Sequence, residues 1–169
     1  MASTGGCAPE LFRRGLLEGR ALAFAGGGEA IEATCAALGA STYRFEPGED
    51  EDALHGTVAS LPSLDALITE SGDLDHVWVA TRAVVNAALR PAGAGKVLFV
   101  APRDDASVRA AIENLAHTTS IEWARYGITT AAILPGEHTT DGEVAQLAAY
   151  LVSHAGAYFS GCAFTLGFV

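Results

Sequence analysis

The sequence predicts an α/β domain built on a doubly wound parallel sheet of about six strands. Three observations carry that expectation. Short apolar runs alternate with helical stretches from Arg20 to Leu166, the rhythm of a parallel sheet covered on both faces. Hydrophobic residues make up 50% of the 169 positions and mean hydropathy is +0.27, enough apolar surface for one core. The first strand-to-helix joint is Gly26-Gly27-Gly28, a tight turn that glycine makes without steric cost.

The elements follow in order. Arg20–Ala25 is a short apolar strand, and Glu29–Leu38 a helix closed by Gly39. Ser41–Glu46 is β-rich, and Glu49–Leu61 a helix stopped by Pro62, its acidic start complementing the helix dipole. Leu64–Thr69 is the third strand, followed by an apolar-periodic helix over Leu74–Leu89 that Pro91 ends. Lys96–Val100 is the fourth strand and Asp105–Tyr126 a long helix ending at Gly127. Ile128–Leu134 is the fifth strand, Asp141–His154 the last helix and Ser160–Leu166 the last strand. Residues 1–16 read as a flexible tail and 17–169 as a single domain.

Charge and cysteine usage exclude several classes. Twenty acids oppose ten bases, a formal charge of −10, and Lys96 is the only lysine. A field of that sign repels phosphate backbones and anionic lipid, so neither nucleic acid nor membrane is expected as a partner. Cys7, Cys35 and Cys162 are odd in number and far apart, which argues against a disulfide framework or a metal site. Met1–Pro9 has no signal-peptide pattern and no run is long enough to span a bilayer. A soluble, cytoplasmic protein is expected.

Ile121–Gly136 (IEWARYGITTAAILPG) and Glu143–Gly167 resemble the C-terminal third of the short-chain dehydrogenase/reductase (SDR) family. Gly19–Ala40 resembles that family's opening β–α–β with its glycine turn. Leu64–Gly72 (LDALITESG) sits where the family carries its Asn-Asn-Ala-Gly motif. The resemblance runs from about Leu17 to Gly167 and implies a Rossmann-like sheet. Seventeen residues lie between Glu46 and Leu64, whereas a helix, a strand and a second helix need more than about thirty. The family's third strand is therefore expected to be lost, leaving six of seven.

The resemblance implies a nicotinamide cofactor and an Asn-Ser-Tyr-Lys catalytic set, and this chain departs from both. The pattern T-G-x-x-x-G-x-G falls on Ala25, Gly26, Gly27, Gly28, Glu29, Ala30, Ile31 and Glu32, matching one glycine of three. Glu29 and Glu32 place two carboxylates where a pyrophosphate should sit. Like charges about 5 Å apart cost a few kcal/mol at an effective dielectric near 20. Glu46 stands where the family often has a ribose-binding acid.

The tyrosine and lysine positions fall on Asp105 and Arg109, the serine near Ala101-Pro102 and the asparagine near Asp73. Asp105 is ionised at pH 7 and cannot replace a phenol as proton donor. It reads instead as the first turn of a helix, with an i,i+4 ion pair to Arg109. Pro135-Gly136 runs almost directly into the last helix, so the substrate lid is missing as well. No cofactor and no metal are expected.

The two long helices match those through which the family pairs subunits, with Trp78, Val85, Ile112, Leu115, Thr119 and Trp123 as candidate interface residues. The expected role is that of a catalytically inactive structural or regulatory subunit. It would associate with an active SDR as a hetero-oligomer, or with itself as a homo-oligomer. The competing expectation is a cofactor-independent lyase, isomerase or cyclase acting on a small metabolite. No G-x-S-x-G elbow supports a hydrolase built on His117, His138 or His154, and His76 reads as structural.

Overall fold

A computed structural model describes residues 12–45 and 50–167 of the chain. One parallel sheet contains β1 Ala21–Gly26, β2 Ser41–Phe45, β3 Ala66–Glu70, β4 Gly95–Val100, β5 Ile128–Leu134 and β6 Cys162–Thr165. Their order is β2-β1-β3-β4-β5-β6. Helices α1 Glu29–Ala37 and α6 Asp141–Val152 cover one face. Helices α2 Glu51–Ala59, α3 Leu74–Val84 and α5 Ala106–Trp123 cover the other. Among the described residues a single helix, α2, joins β2 to β3, so the sheet lacks one strand of the seven-stranded pattern, as the spacing predicts.

Both faces of the sheet are buried, which is why its strands read as continuous apolar runs. Leu22 and Phe24 pack under α1 and α6, whereas Ala23 and Ala25 pack under the opposite layer. Asp65 ties the strand starts together. Its Oδ2 accepts from Ala21 N and its Oδ1 from Arg20 Nη1, each at 2.8 Å. Its carbonyl accepts from Lys96 N at 3.0 Å. Helices begin at side-chain caps: Asp50 for α2, Asp73 for α3, Asp105 for α5 and Thr140 for α6, the last in a capping box with Glu143.

The third helix departs from expectation. After Val84 it widens into a π turn, Val85–Leu89, then resumes as α4, Arg90–Ala92. Pro91 does not end it: it stands at the start of the resumed segment, directly after the π turn in which Arg90 N donates to the Val85 carbonyl. Gly93 closes it in the left-handed conformation instead. In the expected tail, Phe12 stacks on Tyr150 with ring centroids 6.2 Å apart.

The proposed interface residues need correction. Val85, Ile112, Thr119 and Trp123 are buried in the chain's own core, and Leu115 packs half-buried against it. The apolar stripe of α5 is spent on the sheet beneath it. Its outer face carries Glu113, Asn114 and His117, with Ile121 the exposed large apolar residue at 80%. Of the six, Trp78 is the most exposed, at 36%, with the Arg82 guanidinium 5.8 Å from its ring.

Gly127 follows a short 3-10 turn, Ala124–Tyr126, and has φ 68°. A Cβ there would lie 2.4 Å from the Gly93 carbonyl oxygen. Gly127→Ala is expected to lower unfolding free energy by about 1–3 kcal/mol. Urea denaturation checks this, and an unchanged midpoint would contradict it.

Candidate ligand cleft at the strand switch point

β1 and β3 are neighbours, yet the helices that follow them leave to opposite faces of the sheet. Such a divergence opens a crevice at the carboxyl ends of the strands, where doubly wound folds place their ligands. Here it is a cleft of about 360 Å³, lined among others by Gly27, Gly28, Glu29, Glu70, Arg103 and Asp141.

Glycine is required at the joint. Gly26 and Gly28 have φ of 86° and 89°, and a Cβ on Gly26 would stand 2.4 Å from the Glu70 carbonyl oxygen. That closeness lets Gly27 N donate to the same carbonyl at 2.8 Å. The Glu70 side chain then folds back over the turn. Its Oε2 lies 3.2 Å from the point a Gly28 Cβ would occupy, and its carboxyl carbon 3.7 Å from the equivalent point at Gly27. A carboxylate of the protein itself thus sits against the turn and the start of α1, where a bound phosphate would otherwise be drawn.

Burial pushes the Glu70 carboxyl above the usual carboxylate range. Arg103 pulls it down in part, while Asp141 and Glu29 push it further up. Arg103 is itself held on the far wall, its Nη2 donating to Asp141 Oδ1 at 2.6 Å and to the Thr139 carbonyl at 3.3 Å.

The outer side of the turn is also filled. Arg44 on β2 donates from Nη1 to the carbonyls of Gly26 and Gly27 at 2.6 and 3.2 Å. Its Nε and Nη2 reach Glu32 Oε2 at 2.8 and 2.5 Å. The expectation that Glu29 and Glu32 together repel an anion is therefore corrected. Glu32 is neutralised by Arg44, and Glu70, not Glu32, lines the cleft with Glu29. Ala30 lines the cleft at the start of α1.

The positions matching the catalytic set do structural work. Asp73 accepts from the backbone N–H groups of Asp75 and His76 at 3.0 and 3.2 Å. Asp105 accepts from Ser107 Oγ at 2.6 Å and from the N–H groups of Ser107 and Val108 at 3.0 Å. The Ser107 hydroxyl foremost, with these amides, holds the Asp105 carboxyl below its ordinary range. Pro102 lines the cleft, and Ala101 is buried behind it.

Arg109 does not pair with Asp105. Its Nη1 donates to the carbonyls of Pro102 and Pro135 at 3.0 and 2.5 Å, clasping the loops after β4 and β5. With the Asp105 carboxylate committed to its cap, the two carbonyls are the better acceptors for the guanidinium. The loop from Gly136 to α6 is closed by Gly136 N donating to Thr139 Oγ1 at 3.0 Å, which leaves the cleft uncovered on that side. Glu46 lies outside the described residues. Among the described residues no three His, Cys, Asp or Glu side chains gather as a metal site.

Sequence reasoning missed Glu70, Arg44, Arg103 and Asp141. Glu70 carried a signal, since a carboxylate closes an otherwise apolar strand at the Asn-Asn-Ala-Gly position. Arg44, by contrast, is polar in a strand with no clear alternation.

The sheet order, the glycine joint and the flanking helices define a Rossmann-like scaffold of the SDR type. No described protein family and no curated protein matches the chain. Solved structures do. Hydroxysteroid dehydrogenase from Escherichia coli superposes with TM-score 0.77 at 16% identity, covering 90% of this chain and 97% of that one. A short chain dehydrogenase from Mycobacterium smegmatis gives TM-score 0.76 at 18% identity, covering 92% and 94%. The 3-ketoacyl-(acyl-carrier-protein) reductase from Brucella melitensis, complexed with NADH, gives 0.74 at 16%, covering 89% and 97%. The chain has the SDR fold.

Because the folded state holds Glu70 with a raised pKa, its ionisation opposes folding. The unfolded carboxyl loses its proton first as pH rises, so the stability this group lends is present below pH 4.5 and lost through its folded pKa. Glu70→Gln should therefore stabilise the protein at pH 7, with the gain shrinking toward pH 4. Urea midpoints at the two pH values check this. A gain of the same size at both would contradict it.

Proposed function

We propose that this chain is a catalytically silent protein on an SDR scaffold, a structural or regulatory subunit working in the cytoplasm beside an active SDR or a second copy of itself. The observation that carries this reading is the Glu70 carboxylate folded against the glycine turn. A dinucleotide would have to displace it, and would then place its pyrophosphate beside Glu29 and Asp141. Supporting this, Arg44 is committed to Glu32 and to the carbonyls of the turn. Asp73 and Asp105 cap helices where the family carries catalytic side chains.

A partner would meet the outer faces of α3 and α5, where Leu74, Trp78 and Ile121 are exposed. That surface is smaller and more polar than the stripe the sequence suggests, which favours a modest interface over a continuous apolar seam.

A second reading has one observation in its favour. A carboxyl with a raised pKa in an open cleft, facing an arginine, is equipped for proton transfer to a small neutral substrate. That would make the chain a cofactor-independent lyase, isomerase or cyclase with Glu70 as acid or base.

Calorimetric titration with NAD, NADP and their reduced forms tests the first reading. No saturable binding tighter than about 100 µM, about −5.5 kcal/mol, is expected. Tighter binding would overturn it. Light scattering tests the association: the wild type should form a complex, with itself or with a reductase from its own source, that Trp78→Glu or Ile121→Glu weakens. A metabolite that co-purifies and is lost on Glu70→Gln would favour the second reading.

A further inference from the structure

A second cleft, of about 270 Å³, lies at the opposite edge of the sheet, where strands β1, β3, β4 and β5 begin. Arg20, Asp65, Lys96, Thr129 and His154 contribute to its walls. Strand register explains the clustering. Lys96 stands beside Ala66 on one side and Thr129 on the other. All three lie on the α6 face of the sheet, and Arg20, just before β1, lines the same cleft.

Lys96 is the chain's only lysine, and it is buried at 9% exposure in a protein of net charge −10. Its Nζ has a single described acceptor, the Leu151 carbonyl in the last turn of α6, at 3.1 Å. Two of its three N–H donors are left over. Arg20 spends Nη1 on Asp65, while its Nε is buried and donates to no described group. Each Asp65 oxygen already accepts one bond, Oδ1 from Arg20 and Oδ2 from Ala21 N.

We propose that this cleft binds a small monocarboxylate, held by Lys96 Nζ and the Arg20 guanidinium. The charges set the valence: Arg20 and Lys96 against Asp65 leave one positive charge, which one carboxylate neutralises. Buried donors without acceptors are costly, and a bidentate carboxylate supplies the missing acceptors. The volume suits a small organic acid and is short for a nucleotide. The site is separate from the glycine-turn cleft, and does not depend on whether that one is silent.

The ionisation of Lys96 agrees with this. Burial foremost, and the Arg20 charge with it, push the amine down to about 8. The groups that face it are Arg20 and Asp65 from the strand starts, the α6 carbonyl and His154 beyond the helix. A carboxylate bound between the two cations would favour the charged amine and raise that pKa.

Because there is one lysine, biosynthetic labelling with ε-¹³C lysine gives a single NMR signal whose pH titration reads this site directly. Acetate and pyruvate, against a sodium chloride control at equal ionic strength, should raise the Lys96 pKa saturably. Each tenfold preference for the charged amine appears as a one-unit rise. Arg20→Gln should weaken the carboxylate affinity at least tenfold. If that variant does not fold, Arg20→Lys, which keeps a cation for Asp65 but lacks the planar guanidinium and adds a second signal assigned against the wild-type spectrum, should weaken it similarly. The proposal is overturned by a Lys96 signal that shows no saturable response to carboxylates, by inorganic phosphate binding more tightly than acetate, or by an arginine variant that responds like the wild type.

Discussion

The contact between the glycine joint and the end of β3 governs the carboxyl rim of this protein. Gly27 N donates to the Glu70 carbonyl at 2.8 Å, and no side chain larger than hydrogen fits at Gly26. This backbone closeness brings β1 and β3 together at the switch point and sends α1 and α3 to opposite faces. It also fixes where the Glu70 side chain begins. From that origin the carboxylate can lie against the turn, and there it takes the position to which backbone geometry would draw an anion.

The rest of the rim is arranged around that internal charge. Arg44 covers the carbonyl side of the turn and neutralises Glu32, while Arg103 on the opposite wall partly offsets Glu70 and is held by Asp141. Arg109 clasps the two loops that follow β4 and β5. The arginines are thus distributed among carbonyls and carboxylates of the chain itself. The result is a cleft at the switch point lined by Glu29, Glu70 and Asp141, with Arg103 the arginine among its lining residues.

Much of the fold was legible in the sequence. Strand and helix order followed from apolar runs punctuated by Gly and Pro, and the lost strand from the short spacing between Glu46 and Leu64. The helix through Pro91 was misread because a π turn is not visible in apolar periodicity. Val85, Ile112, Thr119 and Trp123 stood as interface candidates, some of them expected in the core, because spacing shows that a face is apolar, not whether sheet or partner covers it. Asp105 was placed in the first turn of its helix, whereas it stands one position earlier, as the N-cap. The Arg109 pair was wrong because the acceptors that won, Pro102 and Pro135, come from loops whose approach depends on the sheet. The partnership of Glu70 with the glycine turn joins residues more than forty positions apart, and only strand pairing reveals it.

The ionisation of Glu70 tests this account most directly. Its carboxyl ¹³C signal, followed against pH with and without millimolar NADPH, reports both the burial of the group and its possession of the turn. The account predicts a titration displaced above the ordinary value of 4.5 and indifferent to NADPH. A titration at or below that value, or one that moves when NADPH is added, would contradict it.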